Sequence, residues 1–197
     1  MRQPVSEADF GRMLATFGRS AFRLETRASY ALGYERADFQ RFLAGNPRPP
    51  SEVDWWQEWL DQIRQLRQDG KTIARVRLLA EPMTDYQRWA QWCDPWHAEA
   101  GEEIRYMPRS RAAGIGLPLD ADWWLLDETR LIIMHFTDAG EIASKELVTD
   151  LGDIAPYLTW RDLAVRNAAT VEAISAARAK ETAGAASRLA HPARWAG

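Results

Sequence analysis

The sequence predicts an α+β domain: a mixed, mainly antiparallel sheet of about five to six strands, ending in a three-strand meander, with helices packed on it and a helical C-terminal extension. Three observations carry this. Stretches in which apolar and polar residues alternate are interleaved with stretches whose apolar residues recur at helical spacing. Asp138-Ala139-Gly140 sits between two alternating stretches and signals a hairpin. The 197 residues are 46% hydrophobic and 27% charged, enough apolar material for a real core without staples.

The elements follow in order. Ser6 caps a helix that carries Phe10, Met13, Leu14 and Phe17 on one face, with Gly18 as its stop. From Ala21 to Arg27, Phe22 and Leu24 alternate with Arg23, Glu25 and Arg27, the pattern of a half-buried strand. A short helix is predicted from Glu35 to Ala44, and Asn46-Pro47-Arg48-Pro49-Pro50 is a linker that cannot continue it. Ser51 opens a helix with Trp56, Trp59, Leu60, Ile63 and Leu66 as its apolar stripe, closed by Gly70. Lys71 to Ala80 alternates again, with Ala74, Val76 and Leu78 on one face and Ile73, Arg75, Arg77 and Leu79 on the other. Thr84, with Gln87 three residues on, caps a helix that Asp94-Pro95 is expected to end.

Glu102 to Met107 reads as a strand and Pro108 to Leu119 as a loop. Trp123-Trp124-Leu125-Leu126 is apolar on both faces and therefore belongs in the middle of the sheet. Arg130 to Phe136 and Glu141 to Val148 complete the meander. From about Asp153 the chain reads as helix through Val171 and Ile174; beyond Ala179 the apolar positions thin out, and Gly184 to Gly197 reads as a mobile tail. The organisation is then 1–50, an N-terminal helix-strand-helix part of the same domain; 51–150, the core and meander; and 151–197, the C-terminal helix and tail.

Composition excludes several function classes. One cysteine, Cys93, leaves no internal disulfide and no four-thiolate zinc site. A net charge of −3 argues against a strong nucleic-acid binder. The basic residues are 22 Arg and 3 Lys, a bias that suits a high-GC genome or arginine-based recognition. No apolar run reaches a membrane span, and Met1 to Ser6 lacks a signal segment, so a cytoplasmic protein is expected.

Catalytic motifs fail one by one. His97, His135 and His191 stand far apart, without zinc-ligand spacing, and no metal or cofactor is expected. Cys93 lies on the apolar face of a Trp-rich helix, and Pro95 interrupts the turn that would bring His97 beside it. No nucleophile elbow or phosphate loop occurs. None of the histidines begins the His-x-Lys of phospholipase-D-like hydrolases: they read His97-Ala98-Glu99, His135-Phe136-Thr137 and His191-Pro192-Ala193.

Two constellations remain. Arg23 and Glu25 project from one face of the first strand and Arg75 and Arg77 from one face of the second, with Arg105 and Arg109 at or beyond the end of the third. Together they are the candidates for an anion-binding face, weighed against a solvated face laced with ion pairs. Trp55, Trp92 and Trp96, among ten tryptophans, are the candidates for a partner surface, weighed against core packing. On the first reading Arg77→Ala leaves folding intact and removes anion binding.

Several segments resemble an uncharacterised actinobacterial family with a domain of unknown function. They are Phe22-Arg23-Leu24-Glu25, Arg75-Val76-Arg77, Glu81-Pro82-Met83-Thr84-Asp85-Tyr86, Ala100-Gly101-Glu102-Glu103-Ile104-Arg105, Pro108-Arg109, Asp122-Trp123-Trp124-Leu125-Leu126-Asp127 and Met134-His135-Phe136, with Gly140 in the hairpin. The resemblance spans Phe10 to Leu163; Trp123 stands where members usually carry Phe, and the alanine-rich tail departs from them. Because such genes often lie near helix-turn-helix regulators, the resemblance implies a regulatory accessory role with a protein partner, such as a transcriptional regulator. The expectation is therefore a non-enzymatic interaction protein; the alternative is a phosphate-, nucleotide- or RNA-binding sensor or hydrolase using the arginine-lined face.

Overall fold

Alternation along the chain becomes pairing in space. The computed structural model describes residues 2–171, 173 and 174. The elements are β1 (Arg2–Pro4), α1 (Glu7–Thr16), β2 (Ser20–Glu25), α2 (Arg36–Leu43), a 3-10 turn (Pro50–Glu52), α3 (Asp54–Gln68), β3 (Thr72–Leu79), α4 (Asp85–Ala100), β4 (Glu103–Pro108), α5 (Arg109–Gly114), β5 (Asp122–Leu126), β6 (Arg130–Phe136), β7 (Ile142–Val148), α6 (Leu151–Asn167) and β8 (Ala169–Thr170).

All strands join one open mixed sheet of eight, in the order β1-β7-β6-β5-β2-β3-β4-β8. The count exceeds the predicted five to six because β1 and β8 are three and two residues long, too short to show a period. The strands β2, β3 and β4 are parallel neighbours joined by helical crossovers. From β5 onward, β5, β6 and β7 form the predicted antiparallel meander. Gly140 turns its last hairpin at φ 88°, a conformation glycine adopts without strain.

Each face of the sheet has its own core. Helices α1 to α4 cover the first face, where Leu14, Trp56, Leu60, Ile63 and Trp89 pack on Ala21, Ile73, Trp124 and Met134. Helices α5 and α6 cover the second, where Ala112, Ile154 and Ala164 pack on Phe22, Val76, Trp123 and Ile133. Every residue of β5 is buried, as its double-sided apolar pattern requires.

Three boundaries differ from the sequence reading. Helix α4 does not stop at Asp94-Pro95 but runs through Pro95 to Ala100 and ends at Gly101, φ 112°. An interior proline costs roughly 3 kcal/mol. Here the next turn places Trp96 edge-on against Trp56 and Trp92, and these ring contacts offset part of that cost. The stretch predicted as a loop after Pro108 contains α5. Helix α6 ends at Asn167, and β8 pairs with β4 where continuous helix was expected. The tail beyond Ala179 lies outside the described residues.

Candidate functional site

Register decides which charged residues meet. Parallel pairing of β2 with β3 sets Arg23 beside Arg75 and Glu25 beside Arg77. Antiparallel pairing sets Trp124 on the other side of Arg23. Neighbours in a ladder share a face, so these side chains form one charged floor beneath α1 to α4. Glu25 sits at its centre. Its Oε1 accepts from Arg75 Nη1 at 3.0 Å, and its Oε2 accepts from Arg77 Nη1 at 2.5 Å.

Both β3 arginines are committed a second time. Arg75 Nε donates to Glu102 Oε1 at 2.5 Å, and Arg77 Nη2 donates to Asp94 Oδ1 at 3.0 Å. The phenol of Tyr106 also donates to Asp94. Arg23 is held differently. Its guanidinium lies 5.5 Å from the Trp124 ring centroid and 5.7 Å from that of Tyr30. Its Nη1 is 3.0 Å from Glu25 Oε1, its Nη2 is 3.7 Å from Asp122 Oδ2, and its Nε has no hydrogen-bond partner among the described residues.

The electrostatics follow from burial and pairing. Burial raises the Glu25 carboxyl, but Arg23, Arg77 and Arg75 overcome it and hold the pKa below the usual range. Burial likewise opposes ionisation of Asp94, while Arg77 and His97 bring it down to about 2. Arg77 stays charged because Asp94 and Glu25 outweigh its desolvation. Glu35 has no such cation in contact. Burial pushes it up to about 7, although Tyr86 Oη donates to its Oε1 at 2.7 Å. Burial also raises Asp122, which accepts from Thr26 and Tyr30.

The floor opens into a cavity of about 300 Å³. Its polar wall includes Arg23, Glu25, Glu35, Arg75, Arg77 and His97. Its aromatic wall includes Phe10, Tyr30, Tyr34, Trp55, Trp59 and Trp124. That size is at the low end of the roughly 300–1,000 Å³ of small-molecule sites. Tyr34, 59% exposed, stands at the mouth.

Of the six residues predicted for an anion face, the structure gathers four: Arg23, Glu25, Arg75 and Arg77. Arg105 is not one of them. It pairs with Val76, whose side chain belongs to the opposite core, so it lies on the other face of the sheet. Arg109 is also apart, with its guanidinium donating to the carbonyls of Thr26 and Leu119 as a loop clamp. The partner-surface candidates are half-buried and packed against the core. Trp55 stacks on Trp56 at 5.7 Å and donates to Asp38, and Trp92 and Trp96 pack edge-on against Trp56.

The sequence reading missed Glu35 and Asp94 and set His97 aside. Asp94 and His97 are one helical turn apart, a signal visible only if α4 is carried through Pro95. Among the described residues no three His, Cys, Asp or Glu side chains are arranged to hold a metal ion. Burial raises the Cys93 thiol well above its ordinary pKa, which keeps it un-ionised. No helix of the described residues is long and apolar enough to cross a membrane.

Fold and cavity together define a class, an open mixed-sheet α/β protein with an arginine-floored, aromatic-walled internal site. The chain belongs to the DUF6879 family, a domain of unknown function, whose model matches residues 8–174. No curated protein matches it by sequence. Among solved structures it is similar to Nuc from Salmonella typhimurium, described as a phospholipase D family member. That match has 10% identity and a TM-score of 0.50, and covers 86% of this chain and 97% of that one. The archaeal chromatin protein TrmBL2 matches at 10% identity and TM-score 0.46, covering 85% of this chain and 52% of that one. NucT from Helicobacter pylori matches at 8% and 0.45, covering 81% and 86%. At such identities the likeness to Nuc is one of fold alone.

Proposed function

We propose that this protein is a ligand-sensing accessory protein that holds a small anionic molecule in the cavity above β2 and β3. One observation carries the reading: Arg23, Arg75 and Arg77 face the same enclosed space as a wall of tryptophan and tyrosine rings. Cations converging in a concave site favour a ligand over a solvated charged face, which would be convex and open. The enclosure suits a molecule of mononucleotide size or smaller and is too small for an RNA strand.

Binding is favoured over turnover. The polar groups of the floor are largely spent on one another, and His97 Nε2 already accepts from Trp56 Nε1 at 2.9 Å. The reading as a docking surface for a protein partner is weaker, because Trp55, Trp92 and Trp96 are half-buried and spend much of their ring surface on one another and on Trp56.

The test is thermal denaturation with a panel of phosphate, mononucleotides and small carboxylates. A ligand at a hundred times its Kd adds about 2.7 kcal/mol of stability. Saturable stabilisation by at least one anion supports the proposal, and a flat response to the whole panel rejects it.

A further inference from the structure

We infer that the ligand of this cavity is a small planar aromatic monocarboxylate, gripped at its carboxylate by Arg23 with its ring against the cavity's indole and phenol rings. The inference rests on the proposed ligand-binding role and narrows it to one chemical class.

The first argument is hydrogen-bonding capacity. Arg75 spends Nε and Nη1 on Glu102 and Glu25. Arg77 spends Nη1 and Nη2 on Glu25 and Asp94. Arg23 spends Nη1 on Glu25 at 3.0 Å, but its Nε has no partner among the described residues and its Nη2 is 3.7 Å from Asp122, beyond hydrogen-bond length, whereas Arg77 has only Nε unpartnered. The rings of Tyr30 and Trp124 hold it in place without using those donors. A planar fork fixed this way matches the two oxygens of a carboxylate.

The second argument is charge. The three arginines are opposed by Glu25, Asp94 and Glu102, and Arg23 also faces Asp122, a carboxyl whose ionisation burial opposes. Of these acids only Glu25 lines the cavity, where Glu35, pushed up to about 7 by burial, also stands; Asp94, Glu102 and Asp122 lie off its wall. Glu7, at the edge of the cavity, is paired with Lys145. The cations therefore face the ligand while part of their counter-charge stands behind them. Such a wall attracts one negative charge, but the balanced total leaves little to neutralise a second. This separates a carboxylate from a phosphate monoester, which carries up to two charges near neutral pH.

The third argument is shape. Phe10, Tyr34, Trp55, Trp59 and Phe136 line the space around the arginine floor. Rings presented on several sides favour a flat apolar body over a sugar, whose hydroxyls would lose water without finding partners.

The experiment is a tryptophan-fluorescence titration of the full chain with 2-naphthoate, naphthalene-2-carboxamide and phenyl phosphate. The expected result is that naphthoate binds at least tenfold more tightly than the other two. Arg23→Gln should weaken naphthoate at least tenfold with an unchanged far-ultraviolet spectrum. Arg23→Lys should weaken it too, because it keeps the charge and loses the fork. Should the glutamine variant fail to fold, the three probes on the wild-type chain still decide. Equal binding of the carboxamide overturns the carboxylate assignment. Tighter binding of phenyl phosphate overturns the monoanion assignment while leaving the anion cavity standing. Silence toward all three probes, with stabilisation by another anion of the wider panel, overturns the aromatic class alone; silence toward every anion overturns the ligand-binding role as well.

Discussion

Trp56 donates its indole N–H to His97 Nε2 at 2.9 Å, in a site where Trp56 is wholly buried. An Nε2 that accepts leaves Nδ1 as the protonated nitrogen, 3.6 Å from both Asp94 Oδ1 and Glu102 Oε2. The imidazole thus turns its N–H toward the carboxylates that anchor Arg77 and Arg75, and one indole orients the rear of the arginine floor. Trp56→Phe deletes the donor and part of a buried ring. It should cost about 2–4 kcal/mol in urea denaturation. Nitrogen NMR of the wild type should report the Nδ1–H tautomer, and an Nε2–H signal would contradict the assignment.

Arg77→Ala, expected from sequence to leave folding intact, should instead be severe. It strands Glu25 and Asp94 in the interior, and breaking a buried pair from one side costs roughly 3–5 kcal/mol. A loss below 1 kcal/mol by chemical denaturation would mean that water solvates these carboxylates.

Glu35 makes stability depend on pH. Its carboxyl keeps a proton up to about pH 7 in the folded protein, against 4.5 for the free side chain, chiefly because it is buried. Between those values the folded state binds the extra proton. The contribution is complete below pH 4.5 and is lost as pH rises through 7, about 3 kcal/mol in all. Glu35→Gln should be more stable than the wild type above pH 7 and should lack this part of the slope. Parallel slopes for the two proteins from pH 5 to 8 would refute the assignment.

Asp127 works in the opposite sense. Burial would raise its carboxyl, but the backbone N–H groups of Gly18, Arg19 and Ser20, with Arg130, hold it down at about 2. Its stabilisation is present above the ordinary value of 3.8 and is lost as pH falls through 2. Asn tolerates the φ of 55° at this position. Asp127→Asn should therefore cost about 1 kcal/mol at pH 7, since solvent screens this half-open site, and the difference should close near pH 2. A pH-independent difference would assign the loss to geometry rather than charge.

Trp124 is 2% exposed on the central strand and forms a wall of the cavity. Trp124→Ala should destabilise by roughly 3–5 kcal/mol by the loss of a large core ring. A change under about 1 kcal/mol would remove β5 from the centre of the sheet.

The sequence by itself determined the strands β2 to β7, their facing and their meander, but not the short β1 and β8, because alternation at Arg23-Leu24-Glu25 and Arg75-Val76-Arg77 is a local property written into neighbouring residues. It determined the central place of Trp123-Trp124-Leu125-Leu126 for the same reason. Only the tertiary structure decided that Arg23, Glu25, Arg75 and Arg77 share one enclosed space while Arg105 turns away from it. Register between strands distant in the chain sets that, and one residue of slip reverses a face. The helix through Pro95, the half-buried tryptophans and the near-neutral Glu35 were likewise settled by packing, since each depends on rings and charges contributed by elements far apart in sequence.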